Sequence, residues 1–202
     1  MLRPADLLPV TLEGQYVRLE PLSRDHQPSL AKFALDPDLW QWTLTRIRSV
    51  EDLDAYIETA LSWQQAGTAF PFATIDRSTG RAIGSTRFAN IDRENRSLEI
   101  GWTWLGREFH RNAFNTEAKL LMLAHAFERI GCVRVEFRVN VPNHRSRTAV
   151  LRLGAREEGI MRHKTIAADG RLIDWVYYSI LAEEWPAVKL GLEQKLATHA
   201  PA

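Results

Sequence analysis

His110-Arg111-Asn112-Ala113-Phe114-Asn115-Thr116-Glu117-Ala118-Lys119 is a polar turn that joins a strand pattern to a long apolar helix pattern. Before it, Ser97 to Leu105 alternates as a strand. After it, from about Asn115 to Arg129, Leu120, Leu121, Met122, Leu123 and Phe127 make a helix apolar nearly all round, which Gly131 ends. A strand that passes through a tight turn into a helix leaves backbone N–H groups unpaired at the helix start, and these favour a phosphate. A second polar helix start, Asn143-His144-Arg145-Ser146, follows the strand Val133 to Val139. Two helix N-termini separated by one strand suit an anionic, pyrophosphate-bearing ligand.

The rest of the chain extends this pattern on both sides. Tyr16 to Leu22 alternates as an opening strand, and Ser23 caps a helical stretch that Asp36-Pro37-Asp38 breaks. Ser49-Val50-Glu51-Asp52 is a capping box; Leu53, Tyr56, Ile57, Ala60 and Leu61 follow at helical spacing until Gly67. Phe70 to Ile75 and Ala82 to Asn90 flank the turn Asp76 to Gly80 as a hairpin. In Ser97 to Leu105, the alternation places Leu98, Ile100, Trp102 and Trp104 on one face, with Glu99, Gly101 and Thr103 opposite. Gly101 marks a bulge. Val133, Val135, Phe137 and Val139 alternate with Arg134, Glu136 and Arg138. A short helix runs from Asn143 to Leu153 and stops at Gly154. A last hairpin pairs Ala155–Ile166 with Arg171–Leu181, and Trp185-Pro186 opens a terminal helix that frays after about Ala197. The sum is a mixed α/β (α+β) domain.

Composition narrows the function classes. The 202 residues suffice for one domain with a sizeable core, and 45% hydrophobic with 25% charged residues are ordinary globular values. A formal net charge of +1, with arginines scattered among acids, gives no pull toward nucleic acid. No apolar stretch approaches the roughly 20 residues that span a bilayer. Pro4 and Asp6 break the first apolar run, so no secretory signal is expected and the expected location is cytoplasmic. Cys132, the one cysteine, excludes an internal disulfide and reads as a buried structural thiol. The histidines show no HExxH spacing, so no metal site is expected. His125 reads as a core histidine.

The chain resembles the GNAT family of N-acetyltransferases, closest to the Rim-type branch that includes the ribosomal-protein alanine acetyltransferases. The resemblance runs from Gly14 to Trp185. It is carried by Val17-Arg18-Leu19-Glu20-Pro21-Leu22, Leu98-Glu99-Ile100-Gly101-Trp102, Asn115-Thr116-Glu117-Ala118-Lys119, and Asn143 with Ser146 ahead of Leu153-Gly154. It implies a mainly antiparallel sheet with a V-shaped splay between the fourth and fifth strands and helices on both faces. It also implies an N-terminal arm at 1–13, one acetyltransferase domain at 14–185, and a C-terminal helix and tail at 186–202. The implied activity is transfer of an acetyl group from acetyl-CoA to a primary amine, a small molecule or a protein N-terminus, by direct attack in a ternary complex. No metal, nucleic acid or membrane takes part, and the seven tryptophans leave room for a homodimer patch.

Residue roles follow from the same resemblance. The family's pyrophosphate loop, Gln/Arg-x-x-Gly-x-Gly/Ala, falls on His110-Arg111-Asn112-Ala113-Phe114-Asn115, so Ala113 and Asn115 stand where glycines are usual. Ala113 costs a methyl group's clearance, while Asn115 tolerates left-handed backbone and caps helices well. Arg111 adds charge toward the pyrophosphate, with Thr116 and Arg145 beside it. A backbone N–H near Trp104 or Leu105 polarises the thioester carbonyl. Asn143 holds the pantetheine arm, and Ser146 donates a proton to the departing sulfur or serves its own helix start; the tyrosine that many relatives use is missing there. From its place opposite the apolar face and beside the bulge, Glu99 is the candidate base or water-positioning residue, or else a solvent-facing strand residue paired with Arg87 or Arg138. His163 and Asp174 are weaker candidates. Trp40, Trp42 and Trp63, with Trp175 and Glu99, form an acceptor wall or else core and dimer contacts; Arg46 and Arg48 favour an acidic acceptor or lie in a solvated loop. A catalytically lapsed acyl-CoA-binding module is the alternative to the enzyme, motivated by the altered loop.

Overall fold

The computed structural model describes residues 8–199; Met1 to Asp6 and the end of the expected tail lie outside them. The strands are β1 (Leu12–Glu13), β2 (Val17–Pro21), β3 (Phe70–Asp76), β4 (Arg81–Asp92), β5 (Ser97–Leu105), β6 (Arg134–Asn140), β7 (Arg156–Ile166) and β8 (Leu172–Leu181). The α-helices are α1 (Gln27–Ala34), α2 (Val50–Gln65), α3 (Ala113–Ala124), α4 (His144–Leu153) and α5 (Trp185–Ala197). One sheet runs in the order β1-β2-β3-β4-β5-β6-β8-β7. Its neighbours are antiparallel except β5 and β6, which pair in parallel from Ser97–Arg134 to Glu99–Glu136. Beyond Glu99 they hold no common register, and this is the expected splay. The short β1 makes them fifth and sixth in chain order.

Two cores lie on opposite faces. On one, α3, α4 and α5 cover Val17, Leu19, Leu98, Ile100, Val135, Phe137, Val139, Val176 and Tyr178. On the other, α1 and α2 pack over β3 and β4 around Leu30, Leu53, Ile57, Ala73, Ile75 and Trp104. The polar sides of β6 and β8 continue that second face with Arg134, Glu136, Arg138 and Tyr177. No helix among the described residues is long and apolar enough to cross a membrane.

The strand alternation read from sequence fails within β5. Arg87 pairs with Gly101 and Ser85 with Trp104, so Thr86 alone faces Trp102 and Thr103. This is a bulge, with Trp102 at φ 50°. An extra residue reverses the side-chain parity beyond it. Leu98 and Ile100 therefore join the α3 core, while Trp104 joins the α1–α2 core and Trp102 packs against it. The four do not share a face. Gly84 accommodates the distortion: a Cβ there would stand 2.1 Å from the Trp104 carbonyl oxygen.

Helix α3 also starts earlier than expected. Asn112, not Asn115, is its N-cap, its side chain accepting the Ala113 N–H at 2.8 Å. The helix then continues through a π-helical turn, His125–Ile130, which Gly131 closes at φ 83°. His125 is buried and stacks on Phe88, and Cys132 is buried with its thiol pushed up to about 12 by burial, as expected of a core histidine and a structural thiol.

Candidate active site

The two helix starts converge on His110. Its Nε2 lies 2.9 Å from the Leu105 carbonyl oxygen and its Nδ1 lies 3.3 Å from Arg145 Nη1, on the first turn of α4. An imidazole protonated at Nε2 fits both contacts, donating to the carbonyl and accepting from the guanidinium. Burial lowers the His110 pKa and outweighs the Leu105 carbonyl, with Arg145 and Arg107 adding to the depression. The loop is pinned elsewhere by Arg107, which pairs with Asp36 at 3.0 Å and with Asp38. Phe109 packs edge-on against Phe33 and Phe114.

The left-handed residue of this loop is Arg111, at φ 59°. Neither Ala113 nor Asn115 carries the strain, because both already lie in α3, Ala113 fully buried and Asn115 half-buried. Arg111 and Arg145 are exposed. Helix-start N–H groups beside two exposed guanidiniums are a donor set suited to a pyrophosphate. On α4, Asn143 is the N-cap, accepting the Ser146 N–H at 3.1 Å. That engages the Asn143 side-chain oxygen and leaves its NH2 free to donate elsewhere.

Glu99 stands where β5 and β6 part. It is 4% exposed, and Oε2 accepts from Asn90 Nδ2 at 2.6 Å and lies 2.7 Å from Arg138 Nε. Burial raises its pKa, against the opposing charge of Arg138 and the Asn90 hydrogen bond. Of the pairings weighed from sequence, the one with Arg138 forms, but the carboxylate is buried rather than solvent-facing. Arg87 is held elsewhere, 1% exposed, its guanidinium carbon 5.0 Å from the Tyr56 ring centroid and 5.2 Å from those of Trp63 and Trp102. A Cβ on Gly101 would lie 2.9 Å from Glu99 Oε1, so the glycine makes room for the carboxylate.

The expected aromatic wall divides. Trp40 is core: it is 3% exposed, packs edge-on against Trp104, and donates from Nε1 to the Ala34 carbonyl at 2.7 Å. The Trp104 side chain is buried beside it. Trp63 packs edge-on against Trp102. Trp42 is half-buried, and its carbonyl accepts Asn140 Nδ2 at 3.1 Å, which ties the α1–α2 loop to the end of β6. Trp175 pairs with Asn140 in the sheet and donates to Thr165 Oγ1. Arg46 is not a solvated loop charge; it donates to the carbonyls of Thr43, Thr45 and Trp40 within its own loop. Arg48 is exposed. Near the end of β6, a cavity of about 340 Å³ is lined by Asn140, Val141, Pro142, Arg171, Ile173 and Asp174, among others. Asp174 accepts the His163 backbone N–H at 2.6 Å.

Asn90, Asn140, Tyr177 and Lys119 were not among the sequence candidates. Tyr177 is the cross-strand partner of Arg138, whose guanidinium lies 6.0 Å from its ring centroid. Asn90 carried a weak signal, as an asparagine at the end of a predicted strand. Lys119 carried a stronger one: a lysine inside an otherwise apolar helix pattern. Among the described residues, no group of three or more His, Cys, Asp or Glu side chains is placed to hold a metal ion.

Residues 17–156 match the acetyltransferase (GNAT) domain family. Over 110 residues the chain is 36% identical to YdaF of Bacillus subtilis (strain 168), which carries the provisional name ribosomal N-acetyltransferase; the match covers 54% of this chain and 59% of YdaF. A GCN5-related N-acetyltransferase from Brucella melitensis superposes with a TM-score of 0.85 at 30% identity, over 95% of this chain and 86% of that one. Mycobacterium smegmatis RimJ, solved in complex with CoA-disulfide, shares the fold with a TM-score of 0.79 at 22% identity, over 94% and 96% of the two chains.

Proposed function

From the chain's membership of the GNAT acetyltransferase family, as an acetyl-CoA-dependent N-acetyltransferase, we propose that it acetylates a primary amine by direct attack in a ternary complex. The acceptor is a protein N-terminus or a small amine. The observation that carries this reading is the buried Glu99 at the point where β5 leaves β6, with both polar helix starts beyond it. One acetyltransferase domain at 14–185, working in the cytoplasm without a metal, is part of the proposal.

Bound acetyl-CoA supplies an activated acetyl thioester. The first turn of α3, with His110, Arg111, Asn112, Ala113, Phe114, Asn115 and Thr116, holds the pyrophosphate, and Arg145 adds charge from α4. Asn143 binds the pantetheine arm through its NH2. A backbone N–H of Trp104 or Leu105 donates to the carbonyl oxygen as it gains charge. Glu99 takes a proton from the acceptor ammonium, directly or through water, because only the neutral amine attacks. Ser146 returns a proton to the departing sulfur. Trp42 and Trp175 stand by the acceptor entrance. The name of YdaF, ribosomal N-acetyltransferase, makes a ribosomal protein's amine the first acceptor to try. A homodimer is part of the reading, and exposed apolar residues such as Ile166 and Leu172 on the β7–β8 hairpin could serve it.

The test is a thermal melt with and without acetyl-CoA, followed by release of free CoA thiol with peptides beginning in alanine or serine. Ligand at about 100 times Kd adds roughly 2.7 kcal/mol, a rise of about 5–10 °C for a domain of this size. A rise without CoA release across a broad amine panel identifies the lapsed binding module that the altered loop suggested. No rise removes the cofactor site.

A further inference from the structure

We propose that Lys119 is a positioning residue for acetyl transfer: it holds the β5 bulge at Thr103 against α3, so that the phosphate-cradling helix and the carbonyl-facing strand keep one fixed relation. This rests on the reading that β5 polarises the acetyl carbonyl in the splay.

Lys119 lies on α3, two turns into the helix whose first residues face the phosphate site. It is 4% exposed, and no carboxylate pairs with it among the described residues. Its Nζ lies 2.7 Å from Thr103 Oγ1 and 3.1 Å from Thr86 Oγ1, and the two hydroxyls are 2.8 Å apart. Those threonines are the two sides of the irregularity: Thr86 is the β4 residue that faces two residues of β5, and Thr103 is one of the two. A single side chain therefore grips the bulge from both strands.

The grip is unfavourable as plain packing. A buried amine without a counter-charge is costly, and methionine would fill the same space without that cost. Burial drives the Lys119 pKa down to about 7, which shows how poorly the site solvates an ammonium. Local rules are broken most often where function requires it. What the amine secures here is a strained strand, with Trp102 at φ 50°, at the point where β5 has lost its β6 neighbour. Thr103 is exposed on that open stretch, although its hydroxyl turns back to Lys119. One and two residues beyond it lie Trp104 and Leu105. From the other side, His110 holds the Leu105 carbonyl. Strand residues 103–105 are thus fastened at both ends to the loop and helix that cradle the phosphates.

The experiment compares wild type, Lys119→Met, Thr103→Val and Thr103→Ser. Each is loaded with acetyl-CoA labelled with carbon-13 at the carbonyl, whose stretch is read by isotope-edited infrared difference spectroscopy. Kd is measured by calorimetry and kcat with an alanine-initiated peptide. Wild type is expected to lower the stretch relative to free acetyl-CoA. In Lys119→Met and Thr103→Val the stretch should return toward the free value, with Kd within about threefold and kcat down roughly 10- to 100-fold, the scale of a small misplacement. Thr103→Ser should behave as wild type. A purely structural lysine would lower the melting temperature and leave the bound carbonyl unchanged. Wild-type stretch and kcat in both altered proteins overturn the inference and leave the proposed function standing. A wild type that does not bind acetyl-CoA, or binds it without lowering the stretch, overturns both. Should Lys119→Met fail to fold, the Thr103 pair decides alone, since that residue is exposed.

Discussion

The Glu117 carboxylate accepts the backbone N–H of Val17 at 2.7 Å, joining positions 100 residues apart in the chain. The same carboxylate accepts from Gln15 at 2.6 Å and Tyr16 at 2.7 Å, and a Cβ on Gly14 would stand 2.4 Å from its Cδ. A buried carboxyl group accepting from three amides locks α3 to the start of β2. Glu117→Gln replaces one acceptor oxygen with a donor facing donors. It should cost about 2–3 kcal/mol, or about 4–12 °C in melting temperature. A melting temperature within about 1 °C of wild type would refute this anchor.

Asn143→Ala should show two separable effects. Loss of the cap on Ser146 lowers stability by about 1 kcal/mol. Loss of the NH2 should weaken acetyl-CoA binding severalfold, as read by calorimetry. Ser49→Ala removes the corresponding cap on Asp52 of α2 and should lower stability by a similar amount without touching affinity. Equal affinities in the two variants would remove Asn143 from the cofactor site.

Glu99, as the proposed base, should set the acid side of the rate profile. Its raised pKa means that the folded protein binds the proton more tightly than the unfolded chain does. Stability therefore falls as pH rises from the ordinary carboxylate value through the raised one, while the ionised base appears and activity rises. Glu99→Gln should remove that limb from kcat/KM and flatten the stability change. Gly101→Ala, whose methyl group would displace the carboxylate, should shift the limb with little effect on melting. A rate profile unaltered by Glu99→Gln would take the residue out of the mechanism.

Lys119 predicts the opposite pairing of stability and activity. Its pKa falls from the ordinary lysine value to about 7, so between these values the unfolded chain holds the proton that the folded protein lacks. Stability should then rise with pH across that window. Lys119→Met should flatten the rise and match or exceed wild-type stability at pH 7, even as turnover falls. Denaturant melts between about pH 7 and 10 check this against the lysine value of about 10.4; an unchanged slope in the variant would contradict it.

Much of the fold was readable because it rests on local chemistry. The Ser49 cap, the hairpin turn before Gly80, and the stops at Gly131 and Gly154 depend on neighbours within a few residues, and each appears where expected. The sequence left Glu99 a pairing with Arg87 or Arg138, because the choice between them is set by packing across strands. The helix start was misplaced by a few residues because Asn112 and Asn115 are both good caps; the strained turn at Arg111 selects the first.

By itself the sequence determined the order of the elements, the polar turn that opens α3 and the local caps and stops of the helices. Only the tertiary structure decided which way the side chains face. One extra residue in β5 carries Trp102 and Trp104 to the opposite side of the sheet, because strand parity is a count of residues against a partner strand and has no local signature. Likewise Trp40 became core, and Lys119 became the clamp on a bulge, through contacts with segments far away in the chain. Burial and partnership are properties of the packed molecule, and it is these that raise the pKa of Glu99 and lower those of His110 and Lys119.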